Sequence, residues 1–385
     1  MKYFNIKKIT MELTTSITEF NKTVLHVIDT TGPGGAETVF INLADGLRDK
    51  GFKSIALIRG KGWVFEELQR RNIETVILDC KGSFNVRFLK KLCTLIKKER
   101  VDIIQSHLLG SNIYCAMAGV LTRKPVFATF HGAVDVSKTE RFLKLKAWIL
   151  NTGVTKFIAV SEGLLEEIRQ SGLLNVDKSV VIYNGIDTSK YFKRDSEAIR
   201  SSLGLDENVI LVGSLGNVRP AKAYDVLIES AALVVKDNPN YHFVIAGDTG
   251  KEPLMSELKQ LMNQLKVSNN VHFIGFQDNS AEFLGQMDMF LLTSSSEGFS
   301  IATIEALATG LPVVATKCGG PEEILADEDD SLLTNNAPQT IANKLLDLRT
   351  KHNTTNNDSF NKYDHKTVLQ SYVQHYSKHL EQSIS

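Results

Sequence analysis

The chain has 385 residues, and at roughly 150 residues per domain this length predicts two domains with a cleft between them. Its 44 Lys and Arg residues balance 44 Asp and Glu residues, so the formal net charge is zero. This balance excludes a general nucleic-acid-binding protein, which needs a basic excess for phosphate contacts.

The sequence predicts a cytoplasmic protein. No stretch approaches the roughly 20 apolar residues that span a bilayer, and the first twenty residues lack the apolar core of a signal peptide. Cys80, Cys93, Cys115 and Cys318 are scattered through apolar sequence without zinc-ligand or CxxC spacing. We interpret them as reduced thiols.

Short β-branched runs alternate with longer amphipathic segments along the chain. This alternation is typical of parallel, doubly wound sheets. The runs of the first half cover residues 24–28, 54–58, 75–78, 102–105, 126–130, 157–160 and 180–182. The pattern restarts at 209–212, 242–246, 271–274, 289–292 and 312–315. The predicted fold class is therefore α/β, with two Rossmann-like doubly wound domains facing a cleft.

A charged, turn-forming stretch at residues 188–208 separates the two sets of strands and is the predicted linker. We expect an N-terminal domain over residues 1–195, in which 1–22 form an extension, and a C-terminal domain over 196–365. Residues 366–385 return to helical spacing and are predicted as a helix able to pack back onto the first domain.

A glycine-rich loop that contains Gly34 and Gly35 follows the first strand and opens a helix. Free backbone amides at such a helix start can bind an anion, and glycines let a ligand approach closely. The alternative is an ordinary tight turn. The spacing departs from GxGxxG, so a dinucleotide cofactor is not indicated.

Two glutamates stand eight positions apart in SSEGFSIATIEALATGLPVVAT, Glu297 in a loop and Glu305 on the following helix. A carboxylate can accept two hydroxyl hydrogen bonds, so Glu305 suits ribose hydroxyls and Glu297 suits a hexose. The backbone amides near Gly298, Phe299 and Ser300 would face negative groups of the ligand. The alternative for Glu305 is a polar position on an otherwise apolar helix.

Arg219 and Lys222 follow the first strand of the second domain in GNVRPAKAYDVLI. Two cations there could clamp a diphosphate and stabilise the charge that develops as it leaves. The alternative for Lys222 is a solvated helix position.

These motifs together resemble the retaining family 4 glycosyltransferases of GT-B fold, also described as glycosyl transferases group 1. The motifs VIAGDTG, VSEGLLEEI and VIYNGID are similar to that family too, and the resemblance covers about residues 24–350. It implies that the second domain binds a nucleotide sugar as co-substrate, without a cofactor or metal. It also implies that the first domain binds a glycan or lipid-linked acceptor, as in assembly of a surface polysaccharide.

The resemblance assigns roles residue by residue. It implies that Glu305 holds the ribose, Glu297 the donor sugar, and Lys222 with Arg219 the diphosphate, while His131 in TFHG lies near the transferred sugar. Further donor contacts are implied for Gly213, Asn217, Gly298, Phe299, Ser300, Gly34 and Gly35. Ser214 follows Gly213 and Ala223 follows Lys222, which departs from the usual family pattern and puts Arg219 in doubt.

The acceptor is expected to meet Gly34 and His107, although His107 in QSHLLGSN fits a hydrogen-bonded structural role equally well. In the implied retaining reaction, the acceptor hydroxyl attacks from the face that the diphosphate leaves. The acidic run at 327–330 lacks partner ligands and is interpreted as solvated.

Segments 87–100 and 138–151 pair basic with apolar residues at helical spacing. Either could rest on an anionic membrane surface, which would place the protein peripherally on the inner face, or could be an ordinary amphipathic helix.

Two alternative functions stay open: a non-catalytic GT-B scaffold that binds a nucleotide or partner, and a GT-B epimerase.

Overall fold

A computed structural model describes residues 22–80, 85–132, 142–250, 252–326, 331–348 and 362–382. Thirteen strands in this part of the chain form two fully parallel sheets. Their bounds are β1 Lys22–Val27, β2 Phe52–Ile58, β3 Glu74–Ile77, β4 Ile103–His107, β5 Val126–Phe130, β6 Lys156–Ala159, β7 Ser179–Val181, β8 Ile210–Leu215, β9 Tyr241–Ala246, β10 Val271–Phe273, β11 Met289–Leu292, β12 Val313–Thr316 and β13 Ser331–Thr334.

Fourteen α-helices among the described residues connect and cover the strands. Asn85, Asn279, Ser161 and Ser300 begin four of them by accepting a backbone N–H of the first turn. The bounds are α1 Gly35–Arg48, α2 Trp63–Arg70, α3 Val86–Lys98, α4 Leu109–Thr122, α5 Leu143–Gly153, α6 Glu162–Ser171, α7 Ala198–Leu203, α8 Tyr224–Asp237, α9 Leu254–Gln264, α10 Ser280–Gly285, α11 Ile301–Ala308, α12 Gly320–Ile324, α13 Pro338–Leu348 and α14 His365–Gln382.

Both sheets have the doubly wound order. The first runs β3-β2-β1-β4-β5-β6-β7 and the second β10-β9-β8-β11-β12-β13. Central strands are buried on both faces, as in β5, where all five residues are buried. In each sheet the strand order reverses beside the first strand, between β1 and β4 and between β8 and β11. Ligands of open α/β sheets bind at such switch points.

The predicted fold class is confirmed, since each of the twelve predicted runs overlaps one of the strands β1 to β12. Strand β13 was not predicted. The linker segment 188–208 contains helix α7 and a short 3-10 turn, Thr188–Lys190.

Helix α14 crosses back from the second domain to the first. Val368, Leu369 and Tyr376 pack with Val24 of β1 and Phe127 of β5 in one buried cluster. The hydroxyl of Tyr376 also donates to Gln105 Oε1 at 2.7 Å. The core of the first domain is therefore completed by residues that follow the second domain in sequence.

Candidate active site

Two of the predicted donor residues of the second domain, Lys222 and Glu297, lie beyond the carboxyl ends of neighbouring strands. Lys222 lies in the connection after β8, and Glu297 lies in the loop after β11. Because β8 and β11 pair directly, the two connections meet at the switch point of the sheet. Helix α11, which carries Glu305, follows the Glu297 loop.

Lys222 and Glu297 form an ion pair in this cleft. Lys222 Nζ donates to Glu297 Oε1 at 2.7 Å, and Ser294 Oγ donates to the same oxygen at 2.7 Å. The two side chains are only 20% and 17% exposed, so water and salt screen the pair less than they would on the surface. A solvated position, the alternative for Lys222, does not fit this environment.

The loop of Glu297 is held from behind by the turn after β12. The backbone N–H of Glu297 donates to the carbonyl of Cys318 at 2.8 Å, and that of Gly320 donates to the carbonyl of Glu297 at 3.2 Å. Gly319 adopts φ 118° beside the Glu297 carbonyl, a conformation and a close approach that favour glycine. The carboxylate is therefore fixed by its backbone as well as by Lys222.

Glu305 is buried, and its Oε1 accepts two hydroxyl hydrogen bonds. Tyr191 donates at 2.6 Å and Ser280 at 3.0 Å. Burial raises the pKa of Glu305 to about 7, and the two hydrogen bonds act against this shift. A solvated polar position does not fit this burial. Further hydroxyl donors would stabilise the charged carboxylate, as two ribose hydroxyls could do.

Helix α11 is capped at its N-terminus, which lies next to the first domain. Ser300 is the N-cap and accepts the N–H of Thr303 at 3.4 Å. The ring of Phe299 packs against Tyr183 and Tyr363 at 5.6 and 5.5 Å, so this side chain faces an aromatic cluster. A Cβ at Gly298 would overlap the backbone of His131 and Gly132, so only glycine permits this approach of the domains.

The glycine-rich loop of the first domain forms part of the opposite wall. Gly35 begins α1, and a Cβ there would lie 3.4 Å from Ile301 at the start of α11. Gly34 precedes it as the N-cap. Asn217 of the second domain donates from Nδ2 to the carbonyl of Pro33 at 3.0 Å. The loop therefore meets the donor half of the cleft.

His131 and His107 form a stacked pair. His107 Nδ1 lies 3.0 Å from His131 Nε2, with ring centroids 5.3 Å apart. Burial lowers the pKa of His131 to about 3 and is also the main cause that holds the pKa of His107 well below 6.5. Both rings are neutral at physiological pH. His107 is completely buried, so the structural alternative fits it better than direct contact with an acceptor.

Three other predicted donor residues, Arg219, Gly213 and Asn217, lie in environments that differ from the partly buried one of Lys222. Arg219 is exposed at the start of the 3-10 turn Pro220–Lys222, and its carbonyl accepts the N–H of Lys222. Gly213 lies inside β8, where a Cβ would come 2.6 Å from Met287, so packing alone accounts for this glycine. Asn217 bridges Pro33 and the N–H of Asp248.

Sequence reasoning missed Tyr191, Ser280 and Ser294, whose hydroxyls bind the two glutamates, and Glu323, which joins the domains. Glu323 accepts from the Tyr183 hydroxyl at 2.5 Å and from the N–H of Glu162 at 2.9 Å. Tyr191, Ser280 and Glu323 stand outside the motifs that the sequence singles out, whereas Ser294 lies three residues before Glu297 in the serine run of its motif.

The two basic segments differ in what they expose. Helix α3, from segment 87–100, buries Phe88, Leu92 and Ile96, as an ordinary amphipathic helix does. At α5, from segment 138–151, the exposed fractions of Phe142, Leu145 and Trp148 are 65%, 55% and 63%. The part of segment 138–151 before residue 142 and the acidic run 327–330 lie outside the described residues.

Within the described part of the chain, no helix is long and apolar enough to cross a membrane.

Two family models match the two halves of the chain. The model described as Glycosyltransferase Family 4 matches residues 33–190, and the model described as Glycosyl transferases group 1 matches residues 195–365. Together they cover both walls of the cleft.

Curated relatives include enzymes that act on sugars. The chain is 27% identical over 257 residues to N-acetyl-alpha-D-glucosaminyl L-malate synthase of Bacillus anthracis, covering 65% of each chain and thus just under two thirds of that protein. It is 26% identical to the lipopolysaccharide core biosynthesis glycosyltransferase LpsE of Rhizobium meliloti, over 78% of this chain and 81% of that one. A third is the Escherichia coli UDP-Gal:alpha-D-GlcNAc-diphosphoundecaprenol alpha-1,3-galactosyltransferase, 28% identical over 66% and 68% of the two chains.

Solved structures share the whole architecture. Anabaena Alr3699/HepE in complex with UDP-glucose superimposes with a TM-score of 0.83 at 23% identity, covering 92% of this chain and 99% of that one. Sucrose-phosphate synthase from Thermosynechococcus elongatus gives 0.73 at 16% identity, over 94% and 100%. These likenesses establish the two-domain GT-B fold.

Proposed function

The chain belongs to the family 4 glycosyltransferases, described as glycosyl transferases group 1, and we propose that it moves a sugar from a nucleoside diphosphate donor to an acceptor hydroxyl with retention of configuration. The observation that carries this proposal is the half-buried Lys222–Glu297 pair at the switch point of the second sheet. Lys222 offers a cation for a diphosphate, and Glu297, hydrogen-bonded to it, offers a carboxylate for sugar hydroxyls.

The proposed donor lies along α11 and the connection after β8. Glu305 accepts the ribose hydroxyls, Lys222 binds the diphosphate, and Glu297 accepts hydroxyls of the sugar. Gly34 and Gly35 approach the sugar phosphate from the first domain, next to His131. Arg219 is exposed and could add a second cation to the diphosphate after a change of side-chain conformation.

In the proposed reaction the acceptor oxygen bonds to the anomeric carbon as the bond from that carbon to the diphosphate breaks. The acceptor attacks from the face that the diphosphate leaves, and the departing diphosphate takes the hydroxyl proton. Lys222 stabilises the charge that develops on the leaving phosphate oxygens. The proposal requires neither a metal ion nor a covalent enzyme intermediate.

The proposed acceptor is a glycan or a lipid-linked sugar in surface polysaccharide assembly. Two of the curated relatives support this proposal, since the name of one refers to lipopolysaccharide core biosynthesis and that of the other to a diphosphoundecaprenol-linked sugar. Helix α5 exposes Lys144, Leu145 and Trp148, and Phe142 just before it is exposed too. We propose that this helix rests on an anionic membrane surface, where aromatic rings and basic side chains are favoured.

A donor screen tests the activity. Purified protein would be incubated with a panel of UDP- and GDP-sugars, and binding and release of the nucleoside diphosphate would be measured. We expect one donor to bind and to be hydrolysed slowly, with binding weakened in Glu305→Ala. Absence of binding and of turnover across the panel would refute the enzyme assignment, whereas binding without hydrolysis or transfer would favour a nucleotide-binding scaffold.

A further inference from the structure

A linker residue contacts the buried glutamate of the second domain. The hydroxyl of Tyr191 donates to Glu305 Oε1 at 2.6 Å and lies 3.1 Å from Ser280 Oγ, which itself donates to Oε1 at 3.0 Å. Three oxygens from the linker, α10 and α11 thus form a closed triangle. Both hydrogen bonds reach the same carboxylate oxygen, which fixes the plane of the carboxyl group.

The linker holds Tyr191 in place. Its N–H donates to the carbonyl of Thr188 at 3.2 Å, and Thr188 Oγ1 donates to Asp364 Oδ2 at 3.0 Å. Asp364 stands at the second crossing between the domains, and the N–H of Ile186 donates to the carbonyl of Tyr363 in the same crossing. The tyrosine is therefore anchored where the two interdomain segments meet.

The charged groups on the surrounding elements have other partners. In the linker, Asp187 pairs with Lys190 at 3.3 Å and Lys193 with Asp288 at 3.3 Å. Arg194 pairs with Glu282 of α10 at 3.5 Å, and on α12 Glu322 accepts the N–H of Gly319 while Glu323 accepts from Tyr183. Among the described residues, the side chains that hydrogen-bond the Glu305 carboxyl group are those of Tyr191 and Ser280.

From this geometry we infer that Tyr191 is a positioning residue for the donor site: it orients the Glu305 carboxylate towards the ribose hydroxyls and favours its charged form. The inference rests on the proposed donor site and adds a linker residue to it. A hydroxyl that donates to a carboxylate stabilises the charged form, and the charged form is the better acceptor for two ribose hydroxyls.

The expected pH dependence follows from the burial of Glu305. Its pKa is raised to about 7, so the carboxyl group is neutral well below that pH and charged above it. Donor affinity should therefore rise as the pH increases through neutrality. Removing the Tyr191 hydroxyl removes a bond to the charged form, which raises the pKa further and moves this rise to higher pH.

Calorimetric titration with UDP, GDP and ADP, each used as a probe across the neutral pH range, tests the inference in Tyr191→Phe. At pH 7 we expect nucleotide Kd to increase about five- to tenfold, and the midpoint of its pH dependence to move up by about one unit. Ser280→Ala should shift it in the same direction. Tyr241→Phe, which removes a buried hydroxyl from β9, is the matched control and should bind as the wild type does.

The outcomes separate the inference from the function it rests on. If Glu305→Gln weakens nucleotide binding but Tyr191→Phe keeps the wild-type Kd and midpoint, the positioning role is overturned and the donor site stands. If Glu305→Gln binds all probes normally, or the wild type binds none of them, the ribose assignment fails and the inference with it. A loss of affinity in Tyr191→Phe that is equal at every pH would mean a merely structural role.

Discussion

The ammonium group of Lys222 already has a partner before any diphosphate arrives. It lies 2.7 Å from a carboxylate oxygen of Glu297, in a cleft that keeps both groups largely out of water. A bound diphosphate would share this ammonium group with Glu297. The carboxylate then fixes the cation in advance, so that little reorganisation is needed when charge develops on the leaving group.

Replacement of Lys222 by alanine should therefore affect the chemical step most. We expect kcat to fall by a factor on the order of 10², because the leaving diphosphate loses its fixed cation while the fold persists. The measurement is steady-state turnover with the donor that the screen identifies, alongside thermal unfolding. Lys236→Ala, an exposed lysine on α8, is the matched control for loss of one positive charge. Unchanged turnover in Lys222→Ala would contradict the clamp.

The sequence singled out the two glutamates and Lys222 as candidate donor-site residues, because each stands in a motif that follows a predicted strand. It could not predict that Lys222 and Glu297 bind each other, since they lie 75 positions apart and side-chain pairing leaves no periodic signal. The contact of Tyr191 with Glu305 could not be predicted for the same reason, since Tyr191 lies in a linker whose composition indicates only turns. His107 was a candidate because of its strand-end position, with a structural role left equally open; in the structure it is completely buried and stacks with His131.

Helices α3 and α5 show why basic amphipathic spacing in a sequence does not distinguish a membrane-binding helix from an ordinary amphipathic one. The two helices carry similar patterns, yet α3 buries Phe88, Leu92 and Ile96 in the core, whereas Leu145 and Trp148 of α5, with Phe142 just before it, are exposed. Apolar side chains that are left exposed together indicate an interaction surface. The neighbouring helix α4 adds exposed Leu121, and Arg123 follows its end.

The membrane proposal predicts that α5, and not α3, controls binding to vesicles. We expect Leu145→Ser combined with Trp148→Ser to reduce binding to anionic phosphatidylglycerol vesicles at low salt by about tenfold or more, since two apolar side chains that would become buried in the membrane are lost. Val86→Ser, an exposed apolar residue on α3, is the control and should bind normally. Equal binding of all three proteins, or no binding by the wild type, would contradict the proposal.

The strands were largely predictable because a buried parallel strand must be a continuous apolar run. Strand β13 is the exception. Its four residues, Ser331–Thr334, include only two apolar side chains, so its sequence signal is too short to separate from a loop. It forms because β12 offers a free edge, with which it pairs from Val313 to Thr316.

Polar contacts around the cleft join the two domains. Ser161 Oγ donates to the carbonyl of Gly298 at 2.8 Å, next to Glu297. The carboxylate of Glu323 receives the Tyr183 hydroxyl and the N–H of Glu162. The sequence predicted a cleft but not these contacts, because they join single residues of distant elements, such as Glu162 of α6 and Glu323 of α12, and leave no repeating pattern.

Loss of the Glu323 contacts should favour an open cleft. In Glu323→Ala we expect the radius of gyration, measured by small-angle X-ray scattering without ligand, to increase, and kcat to fall by about tenfold because the two walls meet less often. Nucleotide Kd should change less, since the proposed nucleotide contacts lie within the second domain and the linker. The control is Glu229→Ala, an exposed position on α8. An unchanged radius and unchanged kcat would exclude a role in closure.

The return of α14 to the first domain reverses the usual order of folding during synthesis. Domains generally fold from the N-terminus as the ribosome releases them. Here the cluster around Val24 and Phe127 lacks Leu369, Tyr372 and Tyr376 until α14 has been made. The second domain, whose last helix ends at Leu348, can complete its core earlier. Until α14 is made, part of the apolar surface of the first domain stays uncovered, and we expect this half of the protein to be the more prone to aggregation during synthesis.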